Sequence, residues 1–139
     1  MCFKGAGKLE KSFNRFFEEY LKEWKKSSLT QFKSMISREY QAREVTRGKI
    51  HDFGFDESIR GWEHGFNFVK SNGAVWDLAE VKRIQLREQE IMAVIIAKLV
   101  IDGKKMDTCN LFFQTFTYDF GWKLIRSYIE AGIPVSQFD

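Results

Sequence analysis

Residues 91–118 read IMAVIIAKLVIDGKKMDTCNLFFQTFTY. Two long apolar runs, Ile91 to Ile101 and Thr108 to Tyr118, flank Asp102-Gly103, a pair that tolerates the left-handed backbone of a two-residue hairpin turn. Such a turn pairs Ile101 with Lys104. The same register sets Ile95 opposite Asn110 and Lys98 opposite Asp107, the last a charge match.

Working outward, Trp76 to Glu88 precedes Gln89-Glu90, and Trp122 to Ile129 follows Phe120-Gly121. The four runs predict an antiparallel meander. One face carries Ile91, Ala93, Ile95, Asn110, Phe112, Gln114, Ile125 and Ser127. The other carries Met92, Val94, Ile96, Leu111, Phe113, Arg126 and Tyr128, with Arg83, Arg87, Thr115 and Glu130 at its rim. Both faces are substantially apolar, so helices cover one and something else must cover the other.

The residues before the meander supply those helices. Leu9, Phe13, Phe16, Phe17, Tyr20 and Trp24 recur at helical spacing opposite Lys11, Glu18, Lys22 and Lys25, which predicts a helix from Leu9 to Lys26. Ser28 and Gln31 have capping-box spacing before a shorter stripe of Leu29, Phe32 and Ile36. From Tyr40 the period turns to two, giving a strand that ends near Gly48. Asp56 can cap a third helix with Ile59, Trp62, Phe66 and Val69 on one face, stopped by Asn72-Gly73. Gly61 and Gly65 on that helix read as sites of close approach to another element. The expected fold class is α+β: three N-terminal helices on one side of a mostly antiparallel sheet.

Composition bounds the function. A chain of 139 residues with 14 Phe, 4 Trp, 4 Tyr and one proline fits one domain with a large core. We read 1–8 as a flexible N-terminus, 9–132 as the domain and 133–139 as a tail. A net charge of +3, with the two signs interleaved, lacks the footprint of a nucleic-acid binder. Lys98 breaks the longest apolar stretch, so no membrane span is expected. Cys2 and Cys109 form no metal or redox motif, and with no apolar leader-like run the expected location is the cytoplasm.

Motifs are sparse. Gly5-Ala6-Gly7-Lys8 lacks the preceding strand, the upstream glycine and the Ser or Thr of a phosphate loop. His51 beside Asp52 and His64 beside Glu63 could be general-base pairs, but sequence neighbours diverge on a strand or helix, and both histidines read as surface residues. No metal site or cofactor fingerprint is present, so no cofactor is expected.

The order of helix, capped helix, strand, helix and four-stranded meander closing on Trp122-Lys123-Leu124-Ile125-Arg126-Ser127-Tyr128-Ile129 resembles the nuclear transport factor two-like superfamily, including its SnoaL-like members, from about Leu9 to Gly132. The resemblance implies a cone-shaped sheet with helices on its concave side and a pocket between them. It also implies a function among isomerases, dehydratases, hydrolases and non-catalytic binding or assembly modules. In comparison with the ketosteroid isomerase branch, Tyr20 falls at the catalytic tyrosine, Glu44 at the general-base carboxylate and Gln114 at the acid that completes the oxyanion hole. Gln114 is a weaker donor than that acid.

The expectation is therefore a pocket for a small apolar or carbonyl-containing molecule. Tyr20, Glu44 and Gln114 are its candidate catalytic trio, and Tyr40, Trp62, Phe66, Asn110, Phe112 and Ser127 its candidate ligand contacts. Alternatives are acid/base catalysis by the trio and an assembly module whose core is filled by aromatic rings. The apolar convex face predicts a homodimer.

Overall fold

Phe13, Phe17, Tyr20 and Trp24 lie three and four residues apart, so one stripe of a helix buries all four. That helix, α1, spans Ala6–Lys26 in the computed structural model, which describes residues 6–138. Of the expected flexible N-terminus, residues 1–5 fall outside the described residues, while 6–8 are helical. Ser27, with φ of 54°, turns the chain into α2 (Leu29–Ser34). Ser28 precedes α2 without a side-chain cap bond, so the expected capping box does not form. Nor does Ile36 extend the helix. The Leu124 amide donates to the Met35 carbonyl at 2.9 Å and Ile36 pairs with Leu124, which draws the chain into strand β1 (Ile36–Thr46).

Arg47 and Gly48 both adopt positive φ (53° and 76°) and close a hairpin from β1 to β2 (Lys49–Gly54). The sequence reading has no β2, because its mainly exposed side chains give no apolar alternation. Helix α3 (Phe55–Ser71) starts after Gly54 and ends at Asn72; no Asp56 cap is made. Then follow β3 (Ala74–Arg87), β4 (Glu90–Ile101), the short β5 (Lys104–Lys105), β6 (Thr108–Tyr118), β7 (Trp122–Pro134) and a 3₁₀ turn (Val135–Phe138).

The sheet order is β2-β1-β7-β6-β4-β3, antiparallel except where β1 runs parallel to β7. The architecture is α+β, with three helices on the concave side of a curved sheet. Its meander is the one the sequence predicts, but several irregularities alter the register, and three of them bear on the expected pairings and faces. First, Asp102 and Gly103 do form the tight turn, pairing Ile101 with Lys104, yet past β5 the ladder shifts by two and Ile95 meets Phe112. This register no longer sets Lys98 opposite Asp107; on its other side, Lys98 pairs with Asp77 of β3. An even shift preserves the faces.

Second, the β6–β7 turn has three residues, Asp119 to Gly121, and a bulge at Ile125 then brings Gln114 opposite Ser127, which keeps the two on one face as expected. Ile125 consequently leaves the concave face, where Leu124 is buried in its place. Third, a bulge at Val81 sends Arg83 to the concave side. There its guanidinium lies over Phe13 and Phe17, 4.9 and 5.2 Å from the ring centroids, and it bonds Glu80 and Asn14. Arg83 is thus a cover for α1 and no part of a convex rim.

Candidate functional site

The helices fill the cone unevenly. At the end under α1, Phe13 packs on Phe17, Phe116 and Trp122 with ring centroids 5.0–5.3 Å apart, and Tyr20 packs on Phe32 at 4.9 Å and Phe116 at 5.1 Å. At the other end, between α3 and strands β1, β2, β6 and β7, a cavity of about 290 Å³ opens to solvent. Its apolar walls are Phe53, Trp62, Trp76, Phe112 and Ile129. Its polar groups are Tyr40, Glu44, His51, Glu57, Ser58 and Asn110, and Gly61 and Gly65 form the α3 side.

The expected trio divides between these two ends. Tyr20 and Gln114 meet: the phenol donates to Gln114 Oε1 at 2.8 Å, and both side chains are fully buried. Burial, with Tyr40 nearby, pushes the Tyr20 pKa well above its ordinary 10. Neither residue lines the cavity. Glu44 does, half-buried, with one carboxylate oxygen accepting from Thr46 Oγ1 at 3.3 Å. Tyr40 is the nearest link between them. It lines the cavity, and burial raises its pKa to about 12, offset in part by the Ser127 and Ser58 hydroxyls; Glu44 adds a small upward push. Tyr40 is a protonated donor at neutral pH.

Among the expected ligand contacts, Tyr40, Trp62, Asn110 and Phe112 line the cavity. Phe66 and Ser127 do not. Phe66 is buried behind the wall against Phe32 and Trp62, and Ser127 is buried beside the Tyr40 phenol.

Sequence reasoning missed three features of this site. His51 is Glu44's direct cross-strand partner, and its Nε2 is hydrogen-bonded to Glu57 on the first turn of α3. The adjacent Asp52 points away from His51, as neighbours on a strand must, and forms a two-point ion pair with Arg43 at 2.7 and 2.9 Å. Glu57 raises the His51 pKa above 6.5. A signal was available: Arg47-Gly48 as a hairpin turn makes β2, and β2 puts His51 opposite Glu44. The second feature is the anchoring of Asn110, itself an expected ligand contact. Its Oδ1 accepts the Gly132 amide at 3.1 Å, which fixes the side-chain amide with Nδ2 as a donor. Third, Gly61 and Gly65 are not sites of close packing. A Cβ added at either would meet nothing within 4 Å, because the space beside them is the cavity.

Solved structures share this architecture. A Nostoc punctiforme domain of unknown function with a cystatin-like fold aligns at a TM-score of 0.68 and 14% identity, over 93% of this chain and 80% of that one. An NTF2-like protein of unknown function from Shewanella oneidensis gives 0.66 at 13% identity, over 87% and 98%. A candidate scytalone dehydratase from Novosphingobium aromaticivorans gives 0.62 at 11% identity, over 95% and 97%. No protein-family model matches the chain, and no curated protein does. The chain has the nuclear transport factor two-like cone fold, as its element order implies; at these identities the likeness extends to the fold alone.

Proposed function

We propose that the open end of the cone binds a small, largely apolar molecule carrying a hydrogen-bond acceptor such as a carbonyl. The observation behind this reading is the pair Gly61 and Gly65. Each glycine within a helix costs about 1 kcal/mol relative to alanine. Neither is needed for packing, since a Cβ at either position meets nothing, yet both border the cavity. Their effect is to let a guest approach the α3 backbone. A volume of about 290 Å³ stands at the small end of ligand sites, which run from roughly 300 to 1,000 Å³. The aromatic walls supply apolar contact, and Tyr40 and Asn110 supply donors.

Trp62 and Trp76 line the space, so intrinsic fluorescence reports on occupancy. A titration with planar bicyclic ketones should change the emission saturably, and Gly65→Leu should abolish the change by filling the cavity. No response across such a panel, in emission or in melting temperature, would remove the reading. The open cavity also weighs against an assembly module with a wholly filled core.

A homodimer through the convex face belongs to the same proposal. Ile84 and Tyr128 are exposed there and Met92, Leu111 and Phe113 half-buried, while Val94 and Ile96 are already buried within one chain. Arg126 and Arg87 both reach Glu90 at 2.8 Å, so the polar rim pairs within the chain. Light scattering at micromolar concentration should give twice the chain mass and, for Phe113→Asp, the single mass. A wild-type monomer would overturn it.

A further inference from the structure

The polar groups of the cavity are graded by burial and by charge. Tyr40 and Ser58, each 3% exposed, are its buried and neutral members. Glu44, half-buried, and Glu57, whose side chain is 47% exposed, are its outer and acidic ones. Among the described residues no lysine or arginine lines the space, although the chain as a whole carries 22 basic residues against 19 acidic ones. His51 is the lining group that can become cationic. It is hydrogen-bonded to Glu57, so a charged imidazole cancels that carboxylate and leaves Glu44 over. Glu44 has no ion-pair partner among the described residues. Its Oε2 accepts from Thr46, and its Oε1 makes no hydrogen bond there.

A carboxylate partly out of water and without a counter-charge is unfavourable until a cation joins it. The walls suit that cation. Phe53, Trp62, Trp76 and Phe112 are aromatic, and the electron-rich face of an aromatic ring attracts positive charge, tryptophan most strongly. By excluding water the same rings strengthen the attraction between a carboxylate and an ammonium. From this juxtaposition, and resting on the binding reading above, we infer that the guest of the cavity is a small organic cation. It has an apolar body, a protonated amine towards Glu44, and its hydrogen-bond acceptor towards Tyr40 and Asn110.

The grading by burial fixes the orientation of such a guest. Its neutral acceptor goes inward to the buried phenol, and its charge stays at the half-exposed rim, where an ammonium keeps part of its hydration. An organic anion of the same shape meets the two carboxylates with no lysine or arginine to offset them, so the site also rejects by charge.

The test varies charge on one skeleton. 7-Methoxy-2-aminotetralin is a cation at neutral pH, 7-methoxy-2-tetralone is its neutral counterpart and 7-methoxytetralin-2-carboxylate its anion; all three keep the methoxy acceptor. Calorimetric Kd values, with tryptophan emission on the same samples, should be about 10-fold lower for the amine than for the ketone, and the carboxylate should not bind. Added sodium chloride should weaken the amine and leave the ketone unchanged. Glu44→Gln should erase the gap between amine and ketone, and Glu44→Lys should admit the carboxylate and reject the amine, with ketone affinity as the control for an intact site in both. A ketone that binds as tightly as the amine, an amine affinity indifferent to salt, or an amine preference that survives Glu44→Gln overturns the cation inference and leaves the binding reading standing. Binding of none of the three overturns both.

Discussion

Two halves of one cone treat the same kind of residue in opposite ways. Under α1, aromatic rings pack edge to face on one another, and the polar groups Tyr20 and Gln114 are shut in with each other. Under α3, the rings of Trp62, Trp76 and Phe112 stand around open space, and the polar groups face it. The filled half even tolerates loose ends: Trp24 Nε1 and Gln114 Nε2 are buried without partners. The difference lies in what the helices present. α1 offers Phe and Tyr along its buried stripe, whereas α3 offers Gly61 and Gly65 beside Trp62. Close packing and open space are thereby separated along the cone axis, and substitutions should sort by half.

The largest effect belongs to the filled half. Phe13→Ala, at a fully buried ring with neighbours on every side, should cost about 3–5 kcal/mol of unfolding free energy by urea titration. Next comes Tyr20→Phe, which leaves Gln114 with neither oxygen nor nitrogen paired and should cost about 1–3 kcal/mol while ligand affinity stays unchanged. An affinity change in that variant would mean the halves communicate. In the open half the sign reverses: Gly65→Ala should stabilise the fold by about 1 kcal/mol, since the added methyl meets nothing, and should weaken ligand binding. A destabilised Gly65→Ala protein would show that the glycine serves packing after all.

The smallest effect is the exposed His51–Glu57 pair. The folded-state His51 pKa lies above 6.5, its ordinary value, so the pair's contribution is full below 6.5 and disappears as pH rises through the raised value. Melting curves of wild type and Glu57→Gln should differ most at acidic pH and converge above the folded pKa of His51. A gap that widened with rising pH would break the assignment of the pair.

Much of the fold was legible because its periods are strong. The α1 stripe and the Asp102-Gly103 hairpin specify themselves through spacing and turn chemistry, and even the even-numbered register slip after β5 left the faces intact. β2 was not legible, for an exposed edge strand carries no apolar alternation. With it went the partner of His51, because Glu57 lies six residues away and meets His51 only across a strand-to-helix corner. The bulges at Val81 and Ile125 were hidden for a similar reason: one added residue changes no composition, but it changes the face that the side chains next to it take.

The sequence by itself determined the class of fold, the aromatic core and the polar residues that border it. Only the tertiary structure decided which of those polar residues share a space. Tyr20, Glu44 and Gln114 each point inward from their own element, as local periodicity requires. Whether three inward directions converge depends on how far along the cone axis each element stands, and that is fixed by long-range packing of α1 and α3 against the sheet. Periodicity sets direction; packing sets position, and a site needs both.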